Sequence, residues 1–229
     1  MSRHYEKFAD GTVKYIEEEI PFEIPESWRW CRLNSICCPL KYGTSNKSQK
    51  KGKIAVLRMG NIQSGIIDYS NLVFSNNEQD NKQYLLKTND LLFNRTNSPE
   101  LEGKTGIYKG KIPAIYAGYL ICLRTINLNA DYINCVMNSD YQRNYCQLVK
   151  TNGVSQSNIN AEKIGNLLIP LPPYNEQLRI AITTEEITPF IMEYDRLGTK
   201  LEYLEQDFIG SFTPSFTKKS GCIGSVVIK

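Results

Sequence analysis

The chain has 229 residues, is 41% hydrophobic and 22% charged, and carries a formal net charge of +3 with a mean hydropathy of -0.37. This is the composition of a soluble globular protein with one domain and an appendage or two small domains, and no apolar run approaches the ~20 residues that a bilayer requires, so a cytoplasmic protein with no membrane contact is expected. Seven cysteines without CxxC spacing and a single histidine, His4, argue against a disulfide framework, a zinc site and histidine-based triads, and neither a metal nor a cofactor is expected.

In chain order, residues 1–25 are acidic, contain Pro21 and Pro25, and read as an extended lead-in. Glu26-Ser27 opens a short amphipathic segment in which Trp28, Trp30 and Leu33 are core candidates. Five apolar runs follow: IAVLRM (54–59), NLVFS (71–75), DLLFNR (90–95), TGIYKG (105–110) and AIYAGYLICLR (114–124). Broken by Gly, Asn and Pro, they predict strands joined by tight turns. From Asp131 to Lys150 the apolar residues fall at helical spacing and predict one amphipathic helix. The prolines of IPLPPYNEQ (169–177) close the domain, and a new helix is expected from about Tyr174 or Asn175.

Within that helix Ile187, Phe190, Tyr194, Leu197, Leu201, Leu204 and Phe208 alternate steps of three and four, which is an a/d seam over three heptads. From Tyr174 to Phe208 the helix would span roughly 50 Å at ~1.5 Å per residue. That is longer than the domain's own core requires, so a coiled-coil stem is favoured over a helix folded back on its own domain. Pro189 predicts a kink, or a restart capped by Thr188. Residues 210–229 have no helical period and read as an irregular tail.

The charges are sorted along the chain. Between Ser27 and Ile67 stand eight basic residues (Arg29, Arg32, Lys41, Lys47, Lys50, Lys51, Lys53, Arg58) and no Asp or Glu, which predicts a cationic surface without internal neutralisation. From Tyr174 to Asp207 eight acids face three bases. A basic head with interspersed amides and hydroxyls suits a polyanion with readable edges, whereas a plain solvated lysine loop is the alternative.

Three motifs bear on chemistry. Leu171-Pro172-Pro173-Tyr174 parallels the Asp/Asn-Pro-Pro-Tyr loop of amino-methyltransferases, but leucine replaces the residue that accepts from the target amino group. Asp90, Glu102 and Lys104 imitate a metal-dependent nuclease constellation, and remain an alternative. Four polar loops, YGTSNKS (42–48), RMGNI (58–62), FNRTNSPELEGKTG (93–106) and NGVSQSNIN (152–160), place Arg, Asn, Gln, Ser and Lys in turns between apolar elements. Four such loops beside a cationic stretch favour recognition over mere turn-building.

Together these segments resemble the specificity subunit of type I restriction-modification systems. HYEKFADGTVKYIEEEIPFEIPESWRWCRL (4–33) looks like the start of a target-recognition domain, KYGTSNKS, VLRMGNIQSG, DLLFNRTNSPELEGKTGIY and YAGYLICLR like its successive pieces, and NGVSQSNINAEKIGNLLIPLPPYNEQLRI (152–180) like its passage into the spacer helix. The resemblance implies an α/β fold: a lead-in (1–25), a target-recognition domain of short strands with flanking helices (26–173), a coiled-coil spacer and dimerisation helix (174–209) and the tail (210–229). It implies a non-catalytic DNA-binding subunit that directs an adenine-N6 methyltransferase to a bipartite site, with double-stranded DNA, methyltransferase subunits and a restriction/translocase subunit as partners. Full family members carry two recognition domains and pack two spacers antiparallel. One of each is present here, which suggests a half-subunit or a truncated or frame-shifted one, and a homodimer through the helix. An assembly protein that does not bind DNA is the competing class.

By that resemblance Lys41, Tyr42, Thr44, Ser45, Lys47, Lys50 and Lys51 are expected at phosphates and groove edges, and Arg58, Asn61, Arg95, Asn97 and Lys104 at base edges, with Ser155, Gln156 and Asn158 as a further set. Arg58 pairing with a carboxylate, or Asn97 capping the Ser98-Pro99 turn, stays open for those two. Tyr116 and Tyr119 belong either on the DNA face or in the core.

Overall fold

The computed structural model describes residues 4–97, 103–152 and 157–212. The lead-in is not extended. Its strands β1 (Tyr5–Lys7) and β2 (Val13–Tyr15) pair antiparallel around Asp10-Gly11. Gly11 takes φ +87° there, a conformation that costs glycine nothing, and the Asp10 carboxylate accepts from Thr12 N and Oγ1 at 2.9 and 2.6 Å.

The head then runs through β3 (Arg29–Arg32), the one-turn α1 (Leu33–Ile36), β4 (Lys41–Tyr42), β5 (Ile54–Leu57), β6 (Ile62–Gln63), β7 (Ile66–Ile67) and β8 (Val73–Ser75). Next come α2 (Glu78–Gln83), capped by the Asn77 side chain, β9 (Leu91–Asn94), β10 (Thr96–Asn97), β11 (Thr105–Ile107), β12 (Ala114–Tyr116) and β13 (Leu120–Leu123). The expected 114–124 strand is thus two strands, split by a turn in which Leu120 N donates to Ala117 O at 2.9 Å.

Among the described residues the largest sheet has the order β4-β13-β9-β11-β7-β6 and is antiparallel except where β11 lies beside β7. Its central strands β9 and β13 are buried on both faces, which explains their unbroken apolar runs. Alternation sorts them between two cores. Leu91, Phe93, Ile121 and Leu123 pack with Leu33, Ile133, Met137 and Ile169, whereas Leu92, Leu120 and Cys122 pack with Leu57, Ile62 and Tyr116. A smaller sheet, β12-β5-β8, flanks the second core and has β5 and β12 parallel.

The single helix expected from Asp131 to Lys150 is two, α3 (Ala130–Val136) and α4 (Asp140–Val149). The break lies where the Asn138 side-chain amide donates back to Asn134 O at 2.8 Å and Ser139 caps the next helix, its hydroxyl accepting from Gln142 N at 3.3 Å. Strands β14 (Thr151–Asn152) and β15 (Ser157–Asn158) follow, then α5 (Ala161–Gly165) and β16 (Leu168–Leu171). Strand β16 pairs antiparallel with β3 from Leu168 opposite Arg32 to Leu171 opposite Arg29, so the two ends of the head form one neck.

The last helix, α6 (Tyr174–Phe212), leaves from that neck. Gln177 is buried and seats it: its amide donates to Pro172 O at 2.9 Å, and its oxygen accepts from Asn129 N at 3.1 Å. One compact unit therefore continues through Thr184, and a second begins at Glu185. The helix is continuous through Pro189, so no restart capped by Thr188 occurs, and it extends beyond the expected boundary at 209. Residues 213–229 of the expected tail lie outside the described residues. No helix among the described residues is long and apolar enough to cross a membrane.

Candidate nucleic-acid interface

Three of the four polar loops meet on Arg95. Thr96 and Asn97 of β10 pair with Asn158 and Ser157 of β15, and β15 pairs in turn with β14, so the loops around 95 and 158 share a small antiparallel sheet. Arg95 donates through Nη1 to Asn158 Oδ1 at 3.2 Å, and its guanidinium lies over the Tyr42 ring, 4.7 Å from the centroid. The Tyr42 hydroxyl accepts from Ala161 N, at the first turn of α5, at 2.8 Å. Tyr42 in β4, Arg95 after β9 and Asn158 in β15 thus form one contact chain from residues far apart in sequence.

The fourth loop approaches through Tyr119. Its carbonyl accepts from Arg95 N at 3.2 Å, and its side chain lines a cavity of about 280 Å³ with Arg58, Asn61 and Asn71. Arg58 donates through Nη2 to Asn71 O at 3.0 Å, while its buried Nε has no hydrogen-bond partner. Among the described residues it pairs with no carboxylate. Tyr119 is half-buried; burial raises its phenol pKa and the nearby Arg58 charge opposes the rise.

Two expected contact residues serve the fold instead. Asn61 is buried, with its oxygen accepting from Arg58 N and its amide donating to Asp68 O, both at 2.9 Å, so both polar atoms of its side chain are engaged within the fold. Thr44 is buried as well, and its hydroxyl donates to Asp80. Tyr116 is a core residue, whose phenol burial drives well above the ordinary tyrosine range. Trp28 and Trp30 are only half-buried, and Trp30 packs edge-on against Phe22 and Tyr141.

The acid-free stretch is neutralised in part by acids from elsewhere. Arg32 grips Glu6 through Nη2 at 2.9 Å and Glu19 at 2.6 Å, Lys53 lies 3.4 Å from Glu78, and Arg29 donates to the Glu26 and Trp28 carbonyls. Lys41, Lys47, Lys50 and Lys51 are left exposed, and among the described residues none of them makes a salt bridge. Ser45 is exposed beside them. Lys104 is half-buried, with its carbonyl accepting from Asn94 N at 2.9 Å. Ser155 and Gln156 lie outside the described residues, as does Glu102.

The nuclease alternative fails at Asp90. Its side chain is 1% exposed, and both carboxylate oxygens are held: Arg124 donates to them at 2.7 and 2.6 Å, and Lys87 N to one of them at 2.7 Å. The pair keeps Arg124 charged beyond even the usual arginine range. A carboxylate so engaged is a structural counter-ion.

Tyr42, Arg95 and Asn158 are thus held together on a buried sheet, beside exposed lysines that make no salt bridge among the described residues. The chain belongs to the family described as Type I restriction modification DNA specificity domain, which it matches over residues 25–194. It is 30% identical over 203 residues to a putative type I restriction enzyme MjaX specificity subunit of Methanocaldococcus jannaschii, covering 86% of this chain and 47% of that protein. It is 26% identical over 202 residues to the EcoEI specificity subunit of Escherichia coli, covering 83% of this chain and 33% of that protein. The chain therefore spans half or less of the length of these curated relatives. Its fold is that of the HsdS subunit from Thermoanaerobacter tengcongensis, with a TM-score of 0.60 at 20% identity over 86% of this chain and 52% of the other. A chain from a type I R-M system solved for complex assembly and conformational transition aligns with a TM-score of 0.63 at 17% identity over 84% of this chain and 47% of that one.

Proposed function

We propose that this chain is a non-catalytic DNA-recognition subunit that directs an adenine-N6 methyltransferase, and with it a restriction/translocase subunit, to a bipartite site. The observation that carries the reading is the convergence of Tyr42, Arg95 and Asn158 from three loops, beside exposed lysines that make no salt bridge among the described residues. Arg and Asn can read base edges by paired hydrogen bonds, and lysines hold phosphates without regard to sequence. The exposed a/d row of α6 supports a homodimer: Phe190, Tyr194 and Phe208 are 76%, 77% and 66% exposed, and Leu197, Leu201 and Leu204 are at least half exposed. A second copy of the same helix, antiparallel, buries that row and holds two identical heads on DNA.

Filter binding to duplex DNA at several salt concentrations tests the first part. Strong binding that weakens steeply with salt is expected, whereas an assembly protein without a DNA role would show none. Purification with a methyltransferase subunit, followed by sequencing of methylated sites, reads partner and target together. Loss of site-specific methylation on omission of this chain is the expected result.

A further inference from the structure

Lys47 sits on an arch, residues 45–48, whose two ends are fixed to the head by backbone bonds, and Lys50 and Lys51 follow directly after its second anchor. At one end Thr44 N donates to Tyr116 O at 2.9 Å and Gly118 N donates to Thr44 O at 2.7 Å. At the other, Gln49 and Phe74 exchange both N–H to carbonyl bonds at 2.8 Å. Gly43 is needed at the first anchor, since a Cβ there would stand 2.1 Å from the Tyr116 carbonyl oxygen. Between the anchors Ser45, Asn46 and Lys47 are exposed, and nearby like charges push such a segment apart.

Beneath the arch lies Asp80, from the first turn of α2. It is 6% exposed, and among the described residues no lysine or arginine is within ion-pair distance. Its Oδ2 instead accepts from the Thr44 hydroxyl and, at 2.8 Å, from the Asn46 side-chain amide. Thr44 Oγ1 in turn accepts from Asn46 N at 3.0 Å, and Thr44, Asn46, Lys47 and Asp80 line a polar cavity of about 210 Å³. Hydrogen bonds to an ionised acceptor are roughly twice as strong as neutral ones, and a buried carboxylate without a cation depends on its donors. Both of those donors come from the arch.

We infer that Asp80 is the positioning residue of the basic arch, tethering Thr44 and Asn46 so that Lys47 presents its charge to a polyanion beside Lys50 and Lys51, which follow the second anchor. This rests on the DNA-binding reading above. It makes a prediction opposite in sign to simple electrostatics: deleting an anion near phosphates should tighten DNA binding, whereas losing the tether weakens it. The sign separates the two.

The test uses the full chain with Asp80→Ala, Asn46→Ala and the double variant, measured on random-sequence duplex DNA and by limited trypsin digestion without DNA. Asn46→Ala is expected to lower duplex affinity about threefold or more, as for a lost hydrogen bond of ordinary worth. Asp80→Ala is expected to lower it at least as far, and Asn46→Ala to add nothing in the Asp80→Ala background. Cleavage after Lys47, the lysine between the two anchors, is expected to accelerate in each variant. If Asp80→Ala does not fold, Asn46→Ala at its exposed position carries the test alone. Unchanged or tighter binding with unchanged cleavage overturns the tether. A wild-type chain that binds no duplex overturns the DNA reading and the inference with it, and the trypsin result, which needs no DNA, shows which part failed.

Discussion

The Arg95 guanidinium is clamped between the Tyr42 ring, 4.7 Å below it, and Asn158 Oδ1, 3.2 Å from its Nη1. A cation over an aromatic face gains ~0.5 to 1 kcal/mol at an exposed site and more when desolvated, and the larger effect here is on direction: the fork is held before any ligand arrives. Arg95→Ala is expected to cost ~1 to 3 kcal/mol on the target duplex, relaxing choice at one base pair with little change on random DNA. Equal losses on both duplexes would place Arg95 on the backbone instead. Tyr42→Leu, which removes the ring and the Ala161 contact but no charge, is expected to relax the same base pair by a smaller factor.

Neutralising Lys47, Lys50 and Lys51 together is expected to weaken specific and random duplexes alike. The log-log salt slope should fall by up to about 3, at ~0.9 per lost phosphate contact. A slope that does not move would show that these three lysines face solvent in the complex.

Much of the strand pattern was legible because period and punctuation are local: the runs at 54–59, 71–75, 90–95 and 105–110 each contain a strand. The split of α3 from α4 was less so, since it depends on Asn138 turning back to Asn134 in a stretch whose apolar spacing continues through it. At the candidate site the residue types were readable but not their partners. Asn61 looks like a base reader in RMGNI, yet its amide is consumed by Arg58 and Asp68 within the same turn. The acid-free stretch misled because neutralisation is a property of space: Glu6 and Glu19 reach Arg32 from the lead-in. Nothing local marks Asp80 as the residue beneath Thr44, 36 positions away.

Arg124→Met strands the Asp90 carboxylate, which is 1% exposed. Removing one partner of a buried pair costs ~3 to 5 kcal/mol, and the low end applies here because the Arg124 side chain is 35% exposed. A loss of about 3 kcal/mol in urea unfolding is therefore expected, with much of it recovered in the double variant Asp90→Asn/Arg124→Met. Full stability in the single variant would mean that Lys87 N and solvent suffice.

The lead-in hairpin is tied to the head by acid-base contacts, so its docking depends on pH. Glu19 accepts from Lys14 and Arg32, and those two bonds, Lys14 first, hold its pKa below the ordinary 4.5. A depressed carboxylate contributes stability that is complete well above that value and is lost as pH falls through the lowered one. Amide exchange in Tyr5–Lys7 and Val13–Tyr15 is expected to accelerate at acid pH before the sheet core does. Arg32→Met should produce the same acceleration at neutral pH. Exchange that stays uniform across the head in both cases would show the hairpin to be held by other contacts.

The a/d row of α6 sets the last expectation. Leu197, Leu201 and Leu204 are 50%, 58% and 51% exposed in the single chain, on a helix that continues through Pro189. An apolar row of this length is unstable in water by itself, and an identical antiparallel helix covers it with the fewest assumptions, because a two-fold axis matches each residue to its counterpart. Two-fold symmetry carries over to the DNA: two identical heads read inverted copies of one short half-site separated by a fixed gap. Leu197→Asp with Leu201→Asp is expected to give a folded, monomeric head that binds duplex weakly and supports no two-site methylation. Sedimentation of the concentrated wild-type chain as a monomer, together with an asymmetric methylated site, would count decisively against the homodimer.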